Sequence, residues 1–202
     1  NEDPTRLDGI GDCYHWSGMA WREGHGRIQQ ARHLIESDIF APCAAAALYR
    51  RSALVAAGGF DESYFCYMED VDLGFRLRLA GHTARFVPTA VVRHVGSATS
   101  GGQHSDFSVF HGHRNMVWTF VKNMPTPLLW FLLPWHLAAN LAALVIFSAR
   151  GQGNTIVRAK WQALQGLGHA WRQRRSIQHQ RIASVRSIWA ALDKRLWPKQ
   201  RD

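Results

Sequence analysis

The spacing of hydrophobic and polar positions divides this chain into parts of different character. Residues 1–38 are rich in glycine and charge, have weak periodicity, and read as loops with short elements. Phe40 to Tyr49 (FAPCAAAALY) is a run of small apolar residues. Alanine favours helix, but the run is short and Arg50-Arg51-Ser52 restarts the pattern, so a strand feeding a short helix to Ala57 is expected. Gly58-Gly59 then closes that helix. From Asp70 a helical period takes over: Val71, Phe75 and Leu79 recur every four residues, Leu73 and Leu77 lie beside them, and Arg76 and Arg78 diverge from the stripe. Gly81 supplies the stop. Ala84–Val87 and Ala90–Val95 read as extended segments interrupted by Pro88, ending in Arg93-His94 and a SATSGG loop. Phe107 to Lys122 returns to helical spacing through Phe110, Arg114, Val117 and Phe120.

Leu128 to Ala149 then runs for 22 residues without a formal charge, and a bilayer's hydrocarbon core needs about 20. Length permits a span. Pro134, His136 and Asn140 weaken that reading, and Trp130 and Trp135 suit an interface, so an interfacial or re-entrant segment and a buried core helix stay open beside it. From Ile156 to Trp197, Arg and Lys alternate with Trp161, Leu164, Leu167, Trp171, Ile177, Ile182, Val185, Ile188 and Trp189, the pattern of basic amphipathic helices. The chain shows no internal repeat and no low-complexity tract.

Charge sharpens this division. Of the net +9, residues 1–149 carry 12 Lys/Arg against 13 Asp/Glu, or −1, whereas residues 150–202 carry 12 against 2, or +10. The surplus sits entirely in the tail and points to an anionic partner, a membrane surface or nucleic acid. At 202 residues the chain can bury a real core. It opens on Asn1 with no signal peptide before its first charges, and so is expected to be a segment of something longer. Cys13, Cys43 and Cys66 are odd in number and lack C-x-x-C spacing, which argues against a disulfide scaffold or a thiolate zinc site.

Candidate chemistry concentrates in Gly58–Gly81, GGFDESYFCYMEDVDLGFRLRLAG, where Glu69, Asp70 and Asp72 stand at the junction of an aromatic run and a helix. A helix start needs one capping acid, and each acid in the first turn contributes about 0.3–1 kcal/mol, so capping and chemistry are both open readings. Glu69 and Asp72 share a helix face while Asp70 points about 100° away. A carboxylate at a pocket mouth can accept a proton from a substrate hydroxyl, and Asp72 can pair with Arg76 at i+4. Asp70-Val71-Asp72 also spells the metal-binding pattern D-x-D, but inside a helix the two side chains diverge by about 200°, so that reading is set aside. His94 closes a β-branched run ahead of a glycine loop; it is either a satisfied structural histidine or a metal ligand. His104, His111 and His113 have no cysteine or carboxylate partner at zinc spacing.

CAAAALYRR (Cys43–Arg51), the Gly58–Gly81 stretch, FVPTAVVRHVGSATSGG and HRN (His113–Asn115), in this order, resemble the C-terminal half of a bacterial family 2 glycosyltransferase of the rhamnosyltransferase-like type. The resemblance is strong over about residues 40–123. It implies an α/β fold class: a partial GT-A domain, its acceptor-side half in residues 1–123, then a membrane-associated hydrophobic segment (124–150) and a basic amphipathic helical tail (151–202). It implies an inverting transferase with Asp70 as general base, Glu69, Asp61 and Tyr67 on the acceptor side, and His94 as one ligand of a divalent metal, Mn or Mg. The implied partners are a nucleotide-sugar donor, a glycan or lipid-linked acceptor and an anionic membrane surface, with no nucleic acid, at the cytoplasmic face of a bacterial inner membrane. No nucleotide-binding half precedes residue 40, so the isolated chain is expected to be inactive. A function of another class, a non-catalytic membrane or nucleic-acid binding module built on the tail, is the alternative.

Overall fold

The computed structural model describes residues 6–93 and 105–195. Two short antiparallel strand pairs form: β1 (Asp12–Tyr14) and β2 (Ala20–Arg22) make a hairpin, and β3 (Ser37–Ile39) pairs with the distant β4 (Ala84–Phe86). The strand expected over Phe40–Tyr49 is not there. The strand ends just before it, at Ile39, and Ala44–Ala46 forms a single 3-10 turn. Pro42 explains the difference, because it has no N–H to offer a ladder; only Ala41 pairs, with Asp12 (N–O 2.8 and 3.3 Å). The second extended segment also fails over its described part: Ala90 N–H closes a turn onto the Val87 carbonyl across Pro88, and 90–93 are irregular. His94, Val95 and the SATSGG loop lie outside the described residues, as does His104.

The helices follow the predicted periods. They are α1 (Arg51–Ala56), α2 (Glu69–Leu79), α3 (Asp106–Asn123), α4 (Thr126–Phe147), α5 (Gly153–Gln165), α6 (Leu167–His179) and α7 (Val185–Ala191). One core joins α2, α3, α4 and α7, with Ile177 of α6 packed against it: Tyr14, Phe40 and Phe75 touch ring to ring, and Val71, Phe120, Leu129, Leu132, Ile188 and Leu192 continue it. The hydrophobic segment and the tail therefore pack on the same core as the strand pairs.

At the centre is a buried charge network. Asp72 is fully buried and makes the i+4 pair with Arg76 that the spacing allowed (Nε–Oδ2 2.8 Å). It also accepts from Lys122 Nζ (2.9 Å), Asn123 Nδ2 (2.7 Å) and Tyr64 Oη (3.2 Å). Arg76 reaches on to the carbonyls of Ala57 and Gly59 (2.7 Å to the latter), tying the end of α1 to α2. Lys122 bridges to Asp61 at 2.6 Å. A carboxylate removed from water needs this many partners, because an unpaired buried charge costs several kcal/mol.

The loop between Asp61 and α2 is strained. Phe65, Tyr67 and Met68 all have φ between 63° and 69°, the left-handed region that non-glycine residues avoid. Arg114 and Asn115 of α3, two residues of the HRN motif, hold it there. The Arg114 guanidinium donates to the Tyr64 carbonyl (2.8 Å), and Asn115 Nδ2 lies within 3.0 Å of the carbonyls of Tyr64, Cys66 and Tyr67.

α4 packs one stripe inward, through Leu128, Leu129, Leu132, His136, Asn140 and Ala143. His136 stacks flat on Phe120 (3.9 Å) and hydrogen-bonds the Ser17 carbonyl (2.7 Å); Asn140 accepts from Lys160 (2.6 Å). The opposite stripe, with Trp130, Phe131, Trp135, Leu137, Leu141 and Val145, is exposed. The tail helices close over α3. Trp118 Nε1 donates to the Ala163 carbonyl (2.9 Å), Gln173 to Asp61 (2.8 Å), and Arg174 to the Val121 carbonyl (2.8 Å) and Thr126 Oγ1 (2.9 Å).

Replacing Lys122 by Met strips the buried carboxylates of a cation and should cost about 3–5 kcal/mol, read as a lowered urea midpoint with unchanged m-value. Asn115→Ala orphans carbonyls in a strained loop, each worth about 1–3 kcal/mol. It should destabilise the chain and raise amide exchange selectively over residues 64–68, with α6 and α7 keeping their protection.

Candidate active site

Two acids separated by one residue have opposite surroundings. Asp72 lies in the charge network, whereas Asp70, part-exposed at the start of α2, accepts from the Val71 N–H (Oδ1, 2.8 Å) and from the Ala44 N–H (Oδ2, 3.2 Å). The 200° between positions two apart on a helix enforces this: once Asp72 is drawn to Lys122, Asp70 must face away. Gly74 permits the arrangement. A Cβ there would fall 2.3 Å from the Ala41 Cβ, so only glycine lets α2 rest on the segment that delivers Ala44.

Glu69, beside Asp70, is half-buried and its Oε2 has no hydrogen-bond partner. Burial first, and then the neighbouring Asp70 carboxylate, push its carboxyl up to about 7. The structure adds a third acid that the sequence did not single out. Asp12 of β1 is buried, and burial, followed by the charge of Asp70, pushes it up to about 8 despite Arg22. Arg22 of β2 stands 3.7 Å from Asp12 and makes a 2.7 Å bond to Asp8. Tyr49 also belongs here. Its hydroxyl is buried without a partner, and burial together with Asp70 pushes it well above the usual phenol value. Asp12 and Arg22 had no signal in a glycine-rich region of weak period; only the pairing of Asp12 with Ala41 brings them to α2.

The other expected residues are placed as follows. Asp61 caps the turn Glu62–Tyr64 through Ser63 N–H (3.1 Å) and is held by Lys122 and Gln173, in the charge network rather than beside Asp70. Its carboxyl is held below the usual range by Lys122 and the Ser63 and Gln173 bonds, against burial, which is the largest influence and acts upward. Tyr67 presents its ring to Phe107 (6.3 Å), and Phe65, Phe107 and His111 continue an aromatic shelf with centroids 4.6–6.3 Å apart. Phe65 and Phe107 are exposed. His94 lies outside the described residues. Among the described residues no group of three or more His, Cys, Asp or Glu could hold a metal ion. Cys13, Cys43 and Cys66 are free thiols.

Residues 14–111 match the family described as glycosyltransferase like family 2. The chain is 36% identical over 121 residues to the N-acetylglucosaminyl-diphospho-decaprenol L-rhamnosyltransferase of Mycobacterium tuberculosis, in strains CDC 1551 / Oshkosh and ATCC 25618 / H37Rv alike. That match covers 59% of this chain and 38% of the relative. Over 41 residues it is 51% identical to the rhamnosyltransferase WbbL of Escherichia coli (strain K12), covering 20% of this chain and 16% of that one. The chain thus spans about two fifths of the length of its mycobacterial relatives. No solved structure matches it. Short strand pairs and helices around an acid-bearing helix start, followed by further helices, are the α/β architecture of a partial GT-A domain with its helical extension. Over residues 14–111 the chain is therefore similar to glycosyltransferase family 2, and the relatives it matches there are rhamnosyltransferases.

Proposed function

We propose that this chain forms the acceptor side of an inverting sugar transferase, which moves a sugar from a nucleotide-sugar donor to a cell-surface polysaccharide or its lipid-linked precursor. The observation that carries the reading is the split between Asp70 and Asp72: one acid is locked in the core, and the other is part-exposed and held by two backbone N–H groups. Asp70 takes the proton of the acceptor hydroxyl as that oxygen attacks the anomeric carbon and the nucleoside diphosphate departs. Such base catalysis contributes typically about 10²–10⁴-fold. Glu69 and Tyr67, with the aromatic shelf beside them, suit the acceptor sugar, whose apolar face stacks on rings. Asp61, tied to Lys122, supports that loop from below.

The mycobacterial relatives are named for a lipid-linked diphosphate acceptor, and the same acceptor class is the one favoured for this chain. The exposed face of α4 supports it. The helical stretch Thr126–Gln165, kinked at Gly151, is the one among the described residues long and apolar enough to cross a membrane, with 22% of its apolar window buried. Its polar residues His136 and Asn140 turn inward and its tryptophans outward, which favours a helix lying in the interface. Exposed Arg158, Arg172, Arg175 and Arg186 supply charge for an anionic bilayer at about 1 kcal/mol each near the surface. The cytoplasmic face of a bacterial inner membrane meets both demands, since nucleotide sugars and the basic tail belong on that side. A divalent metal, Mn or Mg, enters through the family and would stabilise the departing diphosphate. Among the described residues no group of three or more ligands forms for it, and His94, proposed as one ligand, lies outside them.

With the chain joined to a nucleotide-binding half, Asp70→Asn should lower the transfer rate by at least about 10²-fold while the affinity for the nucleotide sugar stays nearly constant. Full activity in that variant would end the role given to Asp70. In flotation assays the chain should rise with phosphatidylglycerol vesicles and not with phosphatidylcholine vesicles, less so at high salt or after Trp130→Ser with Trp135→Ser. Tight RNA binding with a steep salt slope and no vesicle binding would instead support the module built on the tail.

A further inference from the structure

Arg22 contacts Asp8 and Asp12 and acts electrostatically on Glu69 and Asp70 at the start of α2, while His25 stands 3.7 Å from Asp8. Arg22 gives its short contact to Asp8 (2.7 Å), and its Nε stands 3.7 Å from Asp12. Asp12 is 6% exposed; Glu69 and Asp70 act on it from α2 and Asp8 from the loop before β1, while Cys43 and Tyr49 adjoin it from the segment after β3. The thiol and the phenol stay neutral, since burial pushes Cys43 up to about 11 and Tyr49 higher. Four ionised acids around one guanidinium already bound by Asp8 would leave a large uncompensated charge in a part-buried site, so a proton has to stay. Asp12 is the most enclosed of the three acids that Arg22 does not hold at short range.

We propose that Asp12 is a positioning residue of the Asp70 site, standing beside it as the neutral acid so that the carboxylate offered to the acceptor hydroxyl is that of Asp70. The placement is mechanical as well as electrostatic. Asp12 and Ala41 exchange two backbone hydrogen bonds, and three residues further on the Ala44 N–H holds Asp70. The same strand residue therefore anchors the segment that orients the base and sets the charge around it. As pH rises through about 8 Asp12 ionises, and the added charge meets an anionic donor at the site, so turnover falls on the alkaline side.

The proposal rests on the reading of Asp70 as base, but two of its measurements read Asp12 without catalysis. In the chain itself, the carboxyl carbon signal that Asp12→Asn removes should titrate with a midpoint near pH 8 in NMR; a midpoint in the ordinary aspartate range, about 4, overturns the proposal. A carboxyl raised in the folded state holds its proton there. Its stabilising contribution is complete below the unfolded value and is lost as pH rises through the folded one. The urea midpoint of the unsubstituted chain should therefore fall relative to that of Asp12→Asn between about pH 4 and 8, and parallel profiles overturn the proposal. In the active transferase, Asp12→Asn should raise the ratio of kcat/KM at pH 9 to that at pH 7 by up to about tenfold, as expected when an ionisation near pH 8 is removed; an unchanged ratio counts against it. Full activity of Asp70→Asn would remove the base and leave the NMR and urea results standing, so the two failures are told apart.

Discussion

Everything at this site depends on where Asp72 points. A helix of 11 residues with hydrophobic positions on several sides could be rolled about its axis in more than one way. The buried pair with Lys122, completed by Arg76, Asn123 and Tyr64, removes that freedom, because any other roll leaves a carboxylate and an ammonium in the core without partners. With the roll fixed, Asp70 is turned outward, Gly74 lands on Ala41, and Val71, Phe75 and Leu79 enter the core. The buried acid decides where the part-exposed one, the proposed base, sits.

The same economy holds for the loop that leads into α2. Three positions of positive φ within four residues would ordinarily be given to glycine, yet Phe65, Tyr67 and Met68 occupy them. Strain of this size persists only where the surroundings impose it, and here α3 imposes it through Arg114 and Asn115. Glycine would relieve the backbone but would remove the rings. An exposed aromatic shelf beside Glu69 and Asp70 is what the strain keeps in place.

Much of this was legible beforehand, and the failures share a cause. Helices α2 and α3, the pairing of Asp72 with Arg76, and the divergence of Asp70 from Asp72 follow from local spacing, which the chain carries in full. The strand expected over Phe40–Tyr49 fails because Pro42 outweighs the apolar run around it. Asp12, Arg22 and Lys122 were not legible as partners of the acids. Their sequence separations from α2, about 50 residues or more in each case, carry no periodic signal, and only the folded strand pairs and α3 bring them near. Asp61 shows the reverse: a family pattern points to the acceptor, and the contacts it makes belong to the ion network.

The route from the acid-bearing start of α2 to the exposed face of α4 is short and stiff. Asn115, which grips the loop before α2, and Asn123, which grips Asp72, lie eight residues apart on α3, roughly 12 Å along its axis. Three residues after Asn123 α4 begins, turning His136 and Asn140 toward the protein and its tryptophans toward solvent. Arg174 of α6 binds the carbonyls at that junction and Thr126 at the start of α4, so the joint is held by the tail rather than left as a hinge. A lipid-linked sugar anchored in a bilayer against α4 would then meet Asp70 at a height set by α3. That gives the basic tail a second use. Besides the proposed attraction to an anionic surface, it would fix the angle between that surface and α2, which carries the proposed base.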